Sequence, residues 1–582
     1  MAKFDLVIRS GTIVDGLGGE PFVGDVAIKG GVIAAVGEVG GTGEEEVDAS
    51  GLLVTPGFVD VHTHYDAQLT WDDRLIPSSM HGATTVVTGN CGVGFAPCKP
   101  EQREMLITLM EGVEDIPGVV MRSGIPWGWE SFPEFLDALE QRNWDVDVAT
   151  QVPHAAVRTF VMGQRALDRE PALPGEVEQM GELVAEALEV GALGFSTSRT
   201  IIHRRKDGAL APTITAGEDE LLGIARAVGK AGKGVLQMVD DFMNPAQEWA
   251  MWRRIVETAG RPLTFSLGQR SWEGDNWRLL LDLLEQANDD GLNIKAQVLP
   301  RPLGLLFGLD LSENPLSLYP AFRELRDSLS REELLAELAK PEIRQRILTD
   351  TASHPDPNIA QFLTRFDDMY VFGDPPNYTP DAKDSIGAMA ARKGVTALEM
   401  AYDLVLENDG RNIFYAPLAN YVGNSLDAVG VMLAHRDTIP GVGDGGAHYG
   451  YVCDASVSTY LMQHWTSDAA GAQRLDMPYV IRQLTWDCAQ AVGLHDRGRI
   501  APGYKADLNV IDEDRLALHA PYVTHDLPSG GRRLLQEPEG YVATIVSGAV
   551  TYRDGKQTGA RPGKLIRGAQ VAPSDNAALE AA

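Results

Sequence analysis

Two imidazoles stand two residues apart in FVDVHTHYDAQ (Phe58–Gln68), at His62 and His64. On an extended chain, residues i and i+2 face the same way. Both rings then look in one direction, as ligands of one metal ion must. A metal needs more than two protein ligands. Cys91 in TTVVTGNCG and Asp444 in GVGDGGAHYG are the candidates to complete the set. Imidazole nitrogen, thiolate sulfur and carboxylate oxygen all suit zinc, and a catalytic zinc keeps one position for water. Water so held is acidified towards neutrality and attacks a carbonyl. Asp444 is the candidate to take the proton and return it to the leaving nitrogen.

Each residue has a plainer reading. A lone His pair is as readily structural. A lone Cys91 reads as a small buried apolar residue, and Asp444 in a glycine-rich stretch as a turn former. Together in one chain they favour a metal site. His448, four residues after Asp444, reads as a neighbour of the site. His154 and His203 read as pocket lining, His203 on a loop near the mouth. Asp240 and Asp241 are reserve carboxylates.

These residues need a scaffold that brings distant strand ends together. The middle of the chain alternates apolar runs with amphipathic helices. Strands are expected at Thr84–Asn90, Asp147–His154, Ala192–Ser198, Gly234–Asp241, Pro262–Gln269 and Asn293–Pro300. In EVEQMGELVAEALEVG, Met180, Leu183, Val184, Ala187 and Leu188 share one helical face. Repeated βα units imply a parallel sheet, and eight strands close it into a barrel, with chemistry at the strand C-termini. From Arg301 to about Gly410 the rhythm breaks into a helical insertion, with a capping box from Ser330 to Glu333. A partial lid is one role for it. Both ends of the chain read as short strands broken by glycine turns, able to pair into one β domain.

VTPGFVDVHTHYD, TTVVTGNCGVGFAP, ALGFSTS, GVGDGGAHYG and GRIAPGYKADLNVID resemble the amidohydrolase superfamily. GNCG points more narrowly to its N-acyl-D-amino-acid deacylase (D-aminoacylase-like) branch. The resemblance covers nearly all of the chain outside the insertion and tail. It implies an α/β fold, a (β/α)8 TIM barrel plus a β-sandwich built from both termini. The expected division is 1–55 and 496–567 for the sandwich, 56–495 for the metal-dependent barrel with 301–410 as the insertion, and 568–582 as a flexible tail. It also implies metal ligation by His62, His64, Cys91 and Asp444.

The chain departs from that branch at two places. Where the family has THxRDE on the fifth barrel strand, LQMVDD puts Gln237 at the ligand position. Where it has SHHK on the sixth, SLGQ leaves no histidine and puts Gln269 in place of the lysine. No histidine occurs between His203 and His354, so no shift of register restores them. GFSTSRT offers no bridging lysine. The second metal position of the branch is therefore expected to be dismantled, leaving one divalent ion per chain, zinc first. The family's carboxylate-gripping arginine is also missing from DGGAHYGYVCDASVSTY, with Arg199 or Arg204 as substitutes. Expected substrate contacts are His203, Arg199, Gln269 and His448. Trp71, Trp127, Trp129, Phe95 and LGLLFG offer apolar surface, which favours a hydrophobic acyl or aromatic amide.

The 582 residues carry 50 basic and 82 acidic side chains, a net charge of -32. So acidic a surface repels nucleic acid and anionic lipid. No leading apolar segment and no bilayer-length apolar run is present. Four cysteines do not make a disulfide framework. A cytoplasmic protein acting on a small-molecule amide, with no nucleic-acid or membrane partner, is expected; a homo-oligomer is left open. The functional expectation is hydrolysis of a non-peptide C–N bond, probing an N-acyl amino acid or hydrophobic amide first. The rivals are another metal-assisted reaction in the same pocket (lactone hydrolysis or elimination) and a barrel scaffold without catalysis.

Overall fold

The computed structural model describes residues 3–574 apart from 273, 355, 356 and 453. Its centre is an eight-stranded, all-parallel sheet. The strands are β1 (Phe58–Asp60), β2 (Ala83–Thr88), β3 (Asp147–Pro153), β4 (Gly194–Arg199), β5 (Val235–Asp240), β6 (Leu263–Leu267), β7 (Ile294–Val298) and β8 (Thr438–Pro440). They lie side by side in chain order, β1 to β8. The six strands expected from the apolar runs are all among them. Most of their residues are buried on both faces, as a parallel sheet covered by helices requires. The sheet curls so that its two edges meet. Thr63, just past β1, bridges to Gly445, just past β8. His64 N–H donates to Gly445 O at 2.8 Å, and Asp444 N–H to His62 O at 3.1 Å.

Amphipathic helices cover the outside. In Pro174–Glu189 the expected face is the buried one, through Met180, Val184, Ala187 and Leu188, with Leu183 partly covered. Burial of each large apolar side chain contributes roughly 1.5–3 kcal/mol.

The two termini build one nine-stranded sheet. Phe4–Ile13, Phe22–Lys29, Val32–Gly37, Gly43–Asp48 and Leu53–Pro56 come from the front; Leu508–Ile511, Tyr541–Val546, Ala549–Arg553 and Lys556–Gln557 come from the back. The halves join where Leu53–Pro56 runs antiparallel to Leu508–Ile511. Ile8, Val26, Val54, Leu508 and Ile545 lie in one apolar core there.

The stretch after Arg301 holds helices and also a three-stranded antiparallel sheet. Leu303–Phe307 and Tyr370–Phe372 flank Ile413–Ala419. LGLLF, read from the sequence as pocket surface, is thus a strand, and Phe307 belongs to the insertion's own core with Phe322, Leu338, Tyr402 and Phe414. The capping box at Ser330 is present, with Ser330 N–H donating to Glu333 Oε2 at 2.9 Å. Near the C-terminus, Gly568 N–H bonds Gly191 O at 2.8 Å and Gln570 N–H bonds Gly493 O at 2.9 Å. The last part of the expected tail, 575–582, lies outside the described residues.

Candidate metal centre

The GNCG turn explains how Cys91 reaches the sheet's C-terminal end. Gly89, Cys91 and Gly92 have φ of 77°, 55° and 68°. A side chain at Gly89 would put its Cβ 2.3 Å from Gln151 O, and one at Gly92 would approach Thr197 Cα to 2.9 Å. Only glycine fits those two positions. Asn90 fixes the turn, donating to Thr63 O at 3.2 Å and Val87 O at 2.9 Å. On the other side, DGGAH winds under the HxH segment. Asp444 itself has φ of 46°, and a Cβ at Gly445 would meet Ser78 Oγ at 2.3 Å.

Four donor atoms converge. His62 Nε2 lies 3.2 Å from Cys91 Sγ and 3.4 Å from Asp444 Oδ1. His64 Nε2 lies 3.6 Å from the same Asp444 oxygen. His62, His64 and Cys91 form the one cluster of metal-ligating side chains that meets a mutual 4.8 Å limit among the described residues. Ligands at tetrahedral zinc distances stand about 3.3–3.8 Å from one another; His62 Nε2 is near that spacing from Cys91 Sγ and Asp444 Oδ1, while Asp444 stays outside the mutual limit that the other three meet. Asp444 Oδ1 is buried without a hydrogen-bond donor, an orphan a cation would satisfy. The donor set and this orphan fit a divalent ion.

The electrostatics agree. Burial alone would discharge His64, but Glu114, Asp444 and Cys91 around it raise it well above an ordinary histidine. Positive charge is therefore favoured at this point, and a dication can replace the proton. Burial pushes His62 down to about 4, so its ring is neutral and its lone pair available. Burial would raise Asp444, but the His64 contact and the nearby imidazoles hold it well below the usual carboxylate range. Burial pushes the Cys91 thiol up to about 12; only a cation close by would make it a thiolate at neutral pH.

The fifth to seventh strands supply neutral groups where more ligands were once conceivable. Gln237 Oε1 accepts from Cys91 N–H at 2.9 Å. Gln297, on β7, places Oε1 2.5 Å from His62 Nδ1, and its Nε2 donates to Thr264 Oγ1 at 2.9 Å. Two carboxamides thus hold the cysteine turn and one imidazole. Because an amide oxygen can only accept, Gln297 makes His62 Nδ1 the protonated nitrogen and frees Nε2.

The other expected residues divide. His448 Nε2 lies 3.7 Å from Asp444 Oδ2. His203 bonds Ser198 Oγ at 2.7 Å, and burial first, then the site's charges, lower it to about 3. Arg199 instead lies 3.8 Å from Asp240 and touches Met251. Gln269 is tied through its backbone to Asn420. Asp240 caps Phe242 N–H and Trp252 Nε1, and Asp241 holds Thr200, Ile201 and Arg270; neither joins the cluster. His154 is not pocket lining. It is fully buried between Thr197 and Glu220, in the layer behind the sheet. Phe95 packs edge-on against Trp127, which lies tilted against Trp129, within the main core or at its edge. Cys91, Cys98 and Cys488 are free thiols, while Cys453 lies outside the described residues.

Sequence reasoning missed Glu114. It caps the helix α1 (Arg103–Val113) and is 2% exposed. Its Oε1 lies 3.4 Å from His64 Nδ1 and its Oε2 3.6 Å from His448 Nε2. Nothing in its sequence surroundings marks it as part of the site.

Among the described residues no helix is long and apolar enough to cross a membrane. The model of the amidohydrolase family (Amidohydro_3) matches residues 45–552. An uncharacterised protein of Mycobacterium tuberculosis is 29% identical over 95% of this chain and 92% of its own length. An N-acyl-D-aspartate deacylase of Alcaligenes xylosoxydans xylosoxydans is 34% identical over 43% of this chain and 47% of its own. Among solved structures, a D-aminoacylase superposes with a TM-score of 0.63 at 22% identity, covering 97% of this chain and all of its own. An N-acyl-D-glutamate deacylase from Bordetella bronchiseptica, complexed with zinc and a phosphonate inhibitor, gives 0.62 at 22% over the same shares. The chain belongs to the amidohydrolase family.

Proposed function

We propose that this chain is a metal-dependent hydrolase of an N-acyl amino acid or a hydrophobic amide, with one divalent ion held by His62, His64 and one of Cys91 and Asp444, which leaves the fourth place for water. The observation that carries the reading is the orphaned Asp444 Oδ1, facing both imidazole Nε2 atoms beside a thiol. A zinc-like ion bound there would acidify water and polarise the amide carbonyl. His62 and His64 orient the site through Nε2, Cys91 contributes sulfur, and the remaining chemistry falls to Asp444 and His448. Asp444 takes a proton from the attacking water as the C–O bond forms, then returns it to the nitrogen as the C–N bond breaks. His448, next to Asp444 Oδ2, orients that carboxylate. The closed (β/α)8 barrel and the β-sandwich of the branch are the architecture we assign to the central and terminal sheets.

A solved D-aminoacylase has a binuclear metal centre. In this chain Gln237 stands on β5 at the second position, and β6 offers Thr264 and no imidazole. The reading is therefore of a single ion. Metal removed with a chelator should abolish amide hydrolysis, and zinc added back should restore it. Activity that survives complete removal of metal would end this proposal.

The substrate's charge is a separate matter. Arg199 lies beside Asp240, Arg204 donates to Gly208 O, and a neutral glutamine, Gln269, replaces the lysine, so the reading is that these residues do not form a fork-shaped cation for a free α-carboxylate. An N-acyl-D-amino acid and its neutral amide are expected to show kcat/KM values within a few-fold. A preference for the free acid equal to a charged hydrogen bond, about 1.5–3 kcal/mol, would show that a carboxylate clamp exists.

A further inference from the structure

Glu114 is a buried carboxylate that lies within 3.6 Å of two imidazoles, those of His64 and His448. An anion taken out of water without compensation costs several kcal/mol. Its backbone is nonetheless fixed firmly. Glu114 N–H closes α1 on Met110 O at 2.9 Å, and its carbonyl accepts His448 N–H at 2.5 Å. The next residue, Asp115, accepts Gly450 N–H at 2.9 Å and Ser312 Oγ at 3.2 Å. The end of α1 is thereby sewn to the loop after β8 and to the insertion. Helix α1 buries Leu106, Ile107, Leu109 and Met110 against the core, so the carboxylate is carried on a rigid support.

The two imidazoles are oriented in matching ways. Each turns Nε2 towards Asp444 and leaves Nδ1 on the far side of the ring. His62 Nδ1 meets the neutral oxygen of Gln297. His64 Nδ1 faces the carboxylate of Glu114 at 3.4 Å, an ion-pair separation, and has no hydrogen-bond partner of its own, so Glu114 is the acceptor within reach of its proton. A metal-binding histidine commonly donates its other N–H to a carboxylate or carbonyl, which fixes the tautomer and raises its basicity.

We propose that Glu114 is a positioning residue of the metal centre: it accepts the Nδ1 proton of His64, keeps the Nε2 lone pair directed at the ion, and makes His64 the stronger of the two imidazole donors. The proposal rests on the reading that His62 and His64 hold a metal. Through its second oxygen Glu114 also braces His448, so one carboxylate sets both the ligand and the neighbour of Asp444.

The test measures zinc affinity of the full-length protein by competition with a chelating dye. E114Q keeps an acceptor oxygen but loses the charge, and E114A loses both. Loss of such supporting partners typically costs ~10–100-fold in metal affinity, so E114Q should lie near the lower end and E114A near the upper. The metal-free variants should unfold at the temperature of the metal-free wild type or above it, which separates the effect from misfolding. Histidine nitrogen NMR of the zinc-loaded wild type gives an independent readout: His64 should be protonated at Nδ1 and coordinate through Nε2. Zinc affinity within twofold of wild type in both variants, or coordination through Nδ1, would overturn the proposal. A wild-type protein that binds no zinc would take down the reading of the site itself, and this inference with it.

Discussion

Replacing Asp444 by Asn is expected to preserve the fold and reduce turnover by about 10²–10⁴-fold, the usual contribution of a general acid–base group. The fold should hold because the turn depends on the backbone of Asp444, not its side chain. Its N–H donates to His62 O and its carbonyl accepts from Ala447 N–H. Its φ of 46° is one that asparagine adopts readily. The amide cannot accept a proton from water at neutral pH. It can still offer an oxygen towards the imidazoles, so some loss of metal affinity accompanies the loss of charge. Assaying the variant with excess zinc separates the two roles. Recovery would mean that Asp444 mainly holds the ion; persistent loss with the ion bound would mean proton transfer. Unchanged turnover in a metal-replete variant would refute the assigned mechanism and bring His448 forward as the base.

His62→Ala should have an effect at least as large, by another route. The substitution removes the Nε2 that faces both Cys91 Sγ and Asp444 Oδ1. Bound metal should fall to near zero, and amide hydrolysis with it. The change also strands Gln297, whose Oε1 loses its donor. A buried acceptor left unsatisfied costs roughly 1–3 kcal/mol, so even the metal-free variant should be less stable than the metal-free wild type. Elemental analysis and a denaturant titration check the two parts. Full metal occupancy in His62→Ala would show that the ion, if any, sits elsewhere.

The motifs that carry donors were legible because each needs special local backbone. His62 and His64 act as a pair even though β1 ends at Asp60; the bridge at Thr63 keeps the chain extended and the side-chain alternation intact. GNCG and DGGAH announce themselves through glycines that close packing demands at 89, 92 and 445. The six internal strands were visible as apolar runs because both faces of the parallel sheet are covered. Glu114 and Gln297 were invisible for the opposite reason. One is an ordinary acidic residue at a helix end and the other a glutamine in a strand. Only the closure of the sheet and the docking of α1 bring them to the imidazoles. His154 misled because a polar residue at a strand end looks the same in sequence whether it faces the mouth or the helices. The sheet within the insertion was missed because its strands are short and far apart, and Leu303–Phe307 lacks the alternation of a half-buried strand.

The most direct measurement is the number of metal ions in purified, active protein, by elemental analysis against protein concentration. One tightly bound divalent ion per chain is the predicted result, because Gln237, Thr264 and Gln297 leave β5 to β7 without imidazole or carboxylate ligands at the cluster. Two ions per chain at full occupancy, or full activity with none, would contradict it.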